Sequence, residues 1–360
     1  MSSGKIGVKT VAKDDIAYLQ DSFKKNDIFS NSVIVITGFA GFLGYYFCHY
    51  FLSLDIKRLV LIDNFIIRMP AWVAHVKQDA RVSVIDADIA KLRYEDYTEF
   101  SEADYVIHMA SIASPVFYRR YPIETINANV LGLRGLLEFY KDYQSLQGLL
   151  FFSSSEIYGD PDPDFIPTEE DYRGNVSCVG PRACYDESKR IGETLCYCYA
   201  QQYGMPIGVA RPFNNYGPGM DINDKRAPAD FARAVIAGED IVLFSDGSPK
   251  RTFCYVTDAI DGYLRVLIHG SYDYFNIGMD NPEITIRELA EIFRESAANL
   301  LGYSGQVRLE EPDDTDYLTH NPNRRCPDIN KAKRLLGYNP RILVQDGVGN
   351  YLRFLNDTML

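Results

Sequence analysis

The feature that most constrains the fold is a short apolar run followed at once by three spaced glycines. Residues 33–37 read Val-Ile-Val-Ile-Thr, which is typical of a buried parallel strand. Gly38, Gly41 and Gly44 follow, and a helical pattern runs over residues 45–54. Such glycines permit a tight turn, the approach of a pyrophosphate to the backbone, and close packing of helix on strand. An ordinary strand-to-helix turn is the alternative, but the order of these elements indicates a dinucleotide site.

Further apolar runs alternate with helical patterns along the chain. The predicted strands cover residues 58–62, 82–85, 105–110, 149–152, 207–211 and 272–277. This alternation predicts an α/β fold with a Rossmann-type, doubly wound parallel sheet and a smaller mixed α/β C-terminal substrate lobe. The predicted divisions are an N-terminal extension (1–30), a dinucleotide-binding domain (31–215, with 255–279 returning to it) and a substrate-binding lobe (216–254 and 280–360).

Acidic residues follow the second and third predicted strands. Asp63 stands at the tip of the second strand, where a carboxylate accepts hydrogen bonds from a ribose diol and repels a 2′-phosphate. This favours NAD over NADP. Arg68 lies five residues further on and could instead hold a 2′-phosphate. Asp88 could accept a hydrogen bond from an adenine amino group, or be a solvated carboxylate at a strand end.

Tyr185 and Lys189 lie four residues apart in a predicted helix, so both side chains share one face. A phenol is a poor base because its pKa is near 10, and a nearby ammonium lowers that pKa. The pair is therefore one way to place a proton carrier beside a reacting alcohol. A surface helix that carries the two residues by chance is the alternative, since the chain holds 26 tyrosines.

A polar cluster follows the predicted strand 149–152, at the edge where open α/β sheets bind ligands. In this cluster Ser154 could bind a substrate hydroxyl and Glu156 could move a proton, with Ser155 between them. A serine-rich turn is the alternative.

Composition narrows the class of protein. The net charge of −12 argues against a general nucleic-acid binder. The sequence shows no apolar run as long as a membrane span and no signal-peptide core, so we expect no membrane partner and a cytoplasmic location. The seven cysteines contain no Cys-x-x-Cys pair, which favours reduced thiols, and we expect no metal site.

In combination these motifs resemble the extended short-chain dehydrogenase/reductases that modify nucleotide sugars. The resemblance covers roughly residues 31–355, and within that family the chain looks most like the UDP-glucuronate decarboxylases. The segments that carry this likeness are 154–161, 170–176, 180–189, 251–256 and 325–333.

The resemblance implies a role for each matching residue. The implied catalytic residues are Tyr185, Lys189, Ser154, Ser155, Glu156 and Arg325. The implied NAD-binding residues are Gly38, Gly41, Phe42, Leu43, Asp63, Asn64, Asp88, Ile89, Met109, Ala110, Tyr185, Lys189 and Pro212. The implied nucleotide-sugar-binding residues are Asn214, Arg226 and Arg251, and the guanidinium forks of the two arginines suit diphosphate oxygens.

The implied reaction starts with oxidation at C4 of the sugar. Tyr185 takes the hydroxyl proton, Lys189 binds the nicotinamide ribose and keeps the pKa of Tyr185 low, and Ser154 orients the oxygen. A C6 carboxylate is then β to a ketone and leaves as CO2, after which C5 takes up a proton and hydride returns to C4, so NAD is regenerated. Glu156 and Arg325 would lie near the carboxylate.

Other outcomes stay open, because Gly219 stands where the decarboxylases usually carry arginine. They are a 4-epimerase, a 4-oxidase, a 4,6-dehydratase of the same family, or a degenerate NAD-binding structural or regulatory protein. Dehydratases place an aspartate where this chain has Ser155, which argues against dehydration. Family members usually dimerise through two long helices, here near residues 129–143 and 185–203, so we expect a homodimer through a helix bundle.

Overall fold

A computed structural model of the chain describes residues 10–311 and 322–359. In chain order, its strands are β1 (Val33–Thr37), β2 (Arg58–Asp63), β3 (Val82–Asp86), β4 (Tyr105–His108), β5 (Gly148–Phe152), β6 (Ile207–Pro212), β7 (Asn215–Tyr216), β8 (Ile241–Leu243), β9 (Lys250–Arg251), β10 (Cys254–Tyr255), β11 (Asp273–Ile277), β12 (Ile284–Thr285), β13 (Val307–Leu309) and β14 (Arg324–Arg325).

The strands are connected by helices and loops. The α-helices are α1 (Thr10–Phe23), α2 (Phe42–Leu52), α3 (Trp72–Val76), α4 (Thr98–Ser101), α5 (Pro115–Arg120), α6 (Pro122–Ile126), α7 (Leu133–Tyr140), α8 (Ala183–Tyr203), α9 (Ala227–Ala237), α10 (Val256–Leu267), α11 (Ile286–Leu301), α12 (Asn330–Leu336) and α13 (Val344–Met359). Short 3₁₀ turns cover Asn26–Phe29, Tyr94–Asp96, Ser155–Tyr158 and Pro163–Phe165.

Seven strands form one parallel sheet in the order β3-β2-β1-β4-β5-β6-β11. The strand order reverses direction between β1 and β4, and open sheets of this type bind ligands at the carboxyl ends of the strands beside such a reversal. This confirms the predicted Rossmann-type α/β fold, since each predicted strand of the sheet is present with its ends shifted by at most two residues.

Both faces of the sheet are buried under helices. Alternate residues of β1 point to opposite faces, so Ile34 and Ile36 join the core on one side while Val33 and Val35 join the core on the other. This explains why β1 reads as a continuous apolar run: a strand that is covered on both faces has no side that favours polar residues.

The N-terminal helix α1 packs on the body of the protein. Its buried Asp15 accepts hydrogen bonds from the hydroxyls of Tyr46 in α2 and Tyr255 at the start of α10. Tyr18 donates to Asp258 of α10 at 2.8 Å. The sequence predicts a weak amphipathic helix over residues 11–25 and leaves its contacts open. These contacts place it against α2, the helix that starts at the glycine turn. Residues 1–9 lie outside the described residues.

The helix predicted over residues 122–140 contains a wider turn in its middle. The helices α6 and α7 are joined without a break by the π-helical segment Asn127–Gly132. Within this segment Asn129 is buried and donates a hydrogen bond to Ser188 of α8 at 2.8 Å. The π turn therefore lies against the helix that carries Tyr185.

The C-terminal lobe combines small sheets with helices. A three-stranded sheet has the order β12-β9-β14, with one antiparallel and one parallel pair, and β13 pairs with β8. Helix α11 begins with a capping box, in which the side chains of Thr285 and Glu288 each accept a hydrogen bond from the backbone of the other. The pairing of β9 with β14 matters for function, because it places Arg251 beside Arg325.

Candidate active site

Among the described residues, a large cavity of about 2060 Å³ lies at the carboxyl ends of the sheet strands, between the sheet domain and the C-terminal lobe. All of the residues that the sequence singles out for chemistry or binding lie on its wall. These are Gly38, Gly41, Phe42, Leu43, Asp63, Asn64, Asp88, Ile89, Met109, Ala110, Ser154, Ser155, Glu156, Tyr185, Lys189, Pro212, Asn214, Arg226, Arg251 and Arg325.

The glycine turn forms a cradle of bare backbone at one end of the cavity. Gly38 has φ +71°, and a Cβ at this position would lie 2.5 Å from the backbone nitrogen of Ala110. A Cβ at Gly44 would lie 1.8 Å from the carbonyl oxygen of Phe39, so only glycine allows the helix to approach this closely. Gly41 is the N-cap of α2, whose first-turn N–H groups have no partner within the helix. These groups fit an anionic pyrophosphate.

Asp63 lies beside this cradle at the end of β2. Its carboxylate oxygens accept hydrogen bonds from the backbone N–H of Ala40 at 3.0 Å and of Phe65 at 2.8 Å. Burial raises the pKa of Asp63 despite these bonds. A carboxylate oxygen can accept more than one hydrogen bond, so each oxygen of Asp63 can also accept one from a ribose diol. The residues at this end of the cavity therefore fit an NAD adenosine.

Arg68 takes part in a different contact. Its guanidinium forms an ion pair with Asp221 at 3.0 Å, which joins the loop after β2 to the loop before α9, and both residues line the cavity. The alternative that Arg68 serves a 2′-phosphate is therefore weakened, because its charge is already matched. Asp88 likewise pairs with the exposed Lys91 at 3.2 Å.

Tyr185 and Lys189 are both buried on the cavity side of α8. Burial raises the pKa of Tyr185 to about 12, although a hydrogen bond with Ser154 acts in the opposite direction. Burial also lowers the pKa of Lys189 to about 7, and its amine donates to the carbonyl of Phe152 at 2.7 Å. In the protein without ligand, the pKa of Tyr185 is thus higher than the sequence pattern predicts, because desolvation outweighs the opposing effects of Ser154 and Arg226. A cation bound in the same cavity would lower that pKa.

Glu156 is held between two guanidinium groups. Arg325 donates to both of its carboxylate oxygens, at 2.5 and 2.7 Å, and Arg182 donates to one of them. Burial alone would raise the pKa of Glu156, but the two arginines outweigh it and lower the pKa to about 2. Glu156 is therefore an anion at neutral pH. An ionised carboxylate is a poor proton donor but can accept a proton, so the prediction that Glu156 moves a proton stays a prediction.

The predicted substrate-binding residues converge on the same cavity, and all of them have protein partners. Arg226 forms an ion pair with Asp224. The buried guanidinium of Arg251 donates to backbone carbonyls, at 2.7 Å for Lys250 and 2.5 Å for Pro322. Asn214 donates from its amide to the carbonyl of Thr252 at 2.9 Å.

Sequence reasoning assigned no role to two residues at the site. Arg182 lies three residues before Tyr185, and this spacing places both on one side of the helix start. That spacing is the feature of the sequence that could have indicated Arg182 as a site residue. Tyr118 of α5 stacks on Tyr185 with ring centroids 5.1 Å apart and planes 14° apart. It comes from another part of the chain, so no local pattern could predict that contact.

The chain belongs to the NAD dependent epimerase/dehydratase family, whose signature matches residues 34–278. This confirms the predicted family resemblance and, with it, dependence on NAD. Among curated relatives, UDP-glucuronic acid decarboxylase 5 of Arabidopsis thaliana is 36% identical over 326 residues, which is 89% of this chain and 88% of the relative. UDP-glucuronic acid decarboxylase 1 of Danio rerio is 36% identical over 324 residues, 90% of this chain and 72% of the relative.

Solved structures confirm the fold. A UDP-glucose 4-epimerase from Thermotoga maritima, solved with UDP-glucose, matches with a TM-score of 0.77 and 23% identity over 91% of this chain and all of that one. A dTDP-glucose 4,6-dehydratase from Streptomyces venezuelae, solved with NAD bound, matches with a TM-score of 0.75 and 23% identity over 90% of this chain and 97% of that one. In the described part of the chain, no helix has the length and apolar character that crossing a membrane requires.

Proposed function

We propose that this protein is an NAD-dependent UDP-glucuronate decarboxylase, which oxidises the sugar at C4, releases CO2 from C6 and reduces C4 again. The observation that carries the proposal is the ion-paired Glu156, which shares one cavity with Ser154, Tyr185 and Lys189. The similarity to decarboxylases over almost the whole chain supports the same choice.

The cofactor end of the cavity would be formed by the glycine turn and Asp63. In this proposal the N–H groups at the start of α2 bind the pyrophosphate and Asp63 binds the adenosine ribose. Asn64, Asp88, Ile89, Met109, Ala110 and Pro212 would complete the cofactor site. When bound, NAD supplies the acceptor and donor of hydride at C4.

The chemistry at C4 would fall to Tyr185. Its phenol oxygen takes the proton of the C4 hydroxyl, Ser154 orients that hydroxyl, and Lys189 contributes a buried amine one helical turn away. A ketone at C4 then makes the C6 carboxylate a β-keto acid, which loses CO2 because the electron pair moves into an enolate. C5 takes up a proton, and the sugar becomes a pentose.

The ionised Glu156 distinguishes decarboxylation from dehydration. Elimination of water across C5 and C6 requires an acid that protonates the leaving hydroxyl. The pKa of Glu156 is too low for that task at neutral pH, and the neighbouring Ser155 is a weak acid. Decarboxylation needs no such donor at C6. In the proposal, Arg226 and Arg251 bind the diphosphate and Asn214 the adjoining part of the nucleotide sugar.

Incubation of the purified protein with UDP-glucuronate, followed by mass spectrometry, tests the proposal. We expect a product lighter by the mass of one CO2, with no net consumption of NAD. A product of unchanged mass, with an inverted C4 centre, would instead identify a 4-epimerase. Loss of water, or release of NADH with a 4-keto sugar, would identify a dehydratase or an oxidase. No conversion of any nucleotide sugar would favour a non-enzymatic role.

We also propose that the protein is a homodimer that works in the cytoplasm. The outer sides of α6 and α8 and of the π segment carry exposed apolar residues, namely Ile123, Leu131, Ile191 and Tyr197. Pairing these helices with those of a second copy would bury the residues in a helix bundle. Light scattering in solution tests the dimer.

The cysteines support the proposed cytoplasmic location. All seven lie in described parts of the chain and are free thiols, which is in line with a reducing compartment.

A further inference from the structure

Arg182 contacts several active-site residues, and the roles given above do not account for these contacts. It immediately precedes α8, and its side chain is only 12% exposed. Its guanidinium pairs with Glu156 and lies 3.6 Å from a carboxylate oxygen of Asp186. It also lies 6.0 Å from the ring centre of Tyr118. A buried arginine that contacts two carboxyl groups and lies over an aromatic ring is held in place from several sides.

The contact with Glu156 determines how that carboxylate is held. Arg325 reaches Glu156 from β14 in the C-terminal lobe, whereas Arg182 reaches it from the sheet domain. With only one of these partners, the carboxylate could rotate or follow the lobe. With both, it is held from two directions at the boundary between the two parts of the protein.

The contact with Tyr118 extends the influence of Arg182 to the other half of the chemistry. Tyr118 stacks directly on the ring of Tyr185. Arg182 therefore supports the group proposed to act at C4 as well as the carboxylate proposed to lie near C6. Both supports start from the residue that immediately precedes the helix that carries Tyr185.

We propose that Arg182 is a positioning residue that holds Glu156 against Arg325 and supports the Tyr118–Tyr185 stack, so that oxidation at C4 and loss of CO2 occur in one geometry. This inference rests on the proposed function. Arg182 itself transfers no proton, because guanidinium groups stay protonated in proteins.

The pH dependence of the reaction gives a readout that a merely structural role would not change. The groups that face Glu156 are Arg182 just before α8, Tyr185 and Asp186 from α8, Arg325 from β14, Arg251 from β9 and Tyr118 from α5. Without Arg182, one guanidinium remains paired with Glu156, and the burial that opposes its ionisation is unchanged. We expect the acidic limb of the kcat profile to move to higher pH.

The test compares Arg182→Gln and Arg182→Lys with the wild type. We expect the glutamine variant to lose about 100-fold in turnover, the scale of a displaced catalytic group. It should also accumulate a 4-keto sugar that has kept its carboxylate. The lysine variant should recover part of the turnover, because it restores the charge but not the fork. Arg294→Gln is the matched control, since Arg294 forms a surface pair with Glu291 on α11, and it should behave as the wild type.

Two measurements keep the outcomes distinct. Bound NAD and thermal unfolding are measured for each variant, and if the glutamine variant does not fold, the lysine variant decides the question. A folded variant with wild-type pH profile and wild-type ratio of keto sugar to CO2 would overturn the positioning role. The proposed function is tested separately by the wild-type product, and the pH profiles are recorded on whichever nucleotide sugar the wild type oxidises.

Discussion

Replacement of Lys189 by methionine tests the electrostatics of the site without any substrate. The Lys189 amine is buried, its ordinary pKa of 10.5 is lowered to about 7, and its hydrogen bond goes to the carbonyl of Phe152. Methionine has a similar length and no charge. We therefore expect Lys189→Met to stabilise the protein measured without NAD, while it abolishes turnover under the proposed function.

The magnitude follows from proton linkage. Between about pH 7 and the ordinary pKa of 10.5, the unfolded chain binds a proton at Lys189 that the folded protein largely does not bind. The unfolded state therefore binds more protons, and the contribution of Lys189 to stability rises with pH through this window. Protonation of Lys189 in the unfolded chain therefore lowers the free energy of unfolding by about 4 kcal/mol near pH 7 and by about 2 kcal/mol near pH 9. The hydrogen bond lost at Phe152 offsets about 1–3 kcal/mol.

Denaturant unfolding of wild type and variant near pH 7 and near pH 9 measures the difference in stability and its dependence on pH. We expect the variant to be more stable by about 1–3 kcal/mol near pH 7, and to lack a rise of about 2 kcal/mol that the wild type shows between the two pH values. Lys57→Met is the control, since Lys57 forms an exposed pair with Glu102. A variant that is less stable near pH 7, with a pH dependence equal to that of the wild type, would refute the reasoning.

Three further changes give single-site tests. Tyr185→Phe should abolish turnover and leave NAD binding intact by calorimetry, and undiminished turnover would contradict its assigned role. Asp221→Ala should release Arg68 and raise affinity for NADP relative to NAD, whereas an unchanged ratio of dissociation constants would show that their ion pair does not influence cofactor choice. Gly44→Ala should prevent NAD binding, because the added Cβ would collide with the backbone of the glycine turn, and normal binding would mean that the helix can move away.

The parts of the fold that follow local rules could be predicted from the sequence. The continuous apolar run of β1 marks a strand that is covered on both faces, and the glycines after it mark a turn against a helix. The common location of the site residues was also predictable in outline. Residues at the carboxyl ends of neighbouring parallel strands meet at one edge of the sheet, so Asp63 and Glu156 face one cavity although 93 positions separate them.

Contacts between distant segments could not be predicted in the same way. Glu156 is paired with residues 26 and 169 positions away, and only the packing of the lobe on the sheet domain brings the second within reach. The pKa of Tyr185 illustrates a second limit. The spacing to Lys189 indicates an amine that lowers this pKa, but the direction of the shift depends on burial, which a four-residue pattern does not report.

The pairing of Glu156 also bears on why the proposed reaction would end in loss of CO2. A substrate carboxylate bound tightly by arginine is stabilised in the ground state, and that stabilisation is lost as neutral CO2 forms and the negative charge moves into the enolate. Binding that is stronger before the transition state than in it slows the step. Here Arg182 and Arg325 share one internal carboxylate, that of Glu156. Under the proposed function, a C6 carboxylate would therefore meet guanidinium groups whose charge is partly neutralised.

Glu156→Gln would remove that partial neutralisation, so we expect it to reduce CO2 release more than oxidation at C4. Equal loss of both steps, measured by mass spectrometry of the keto sugar and pentose products, would contradict this argument.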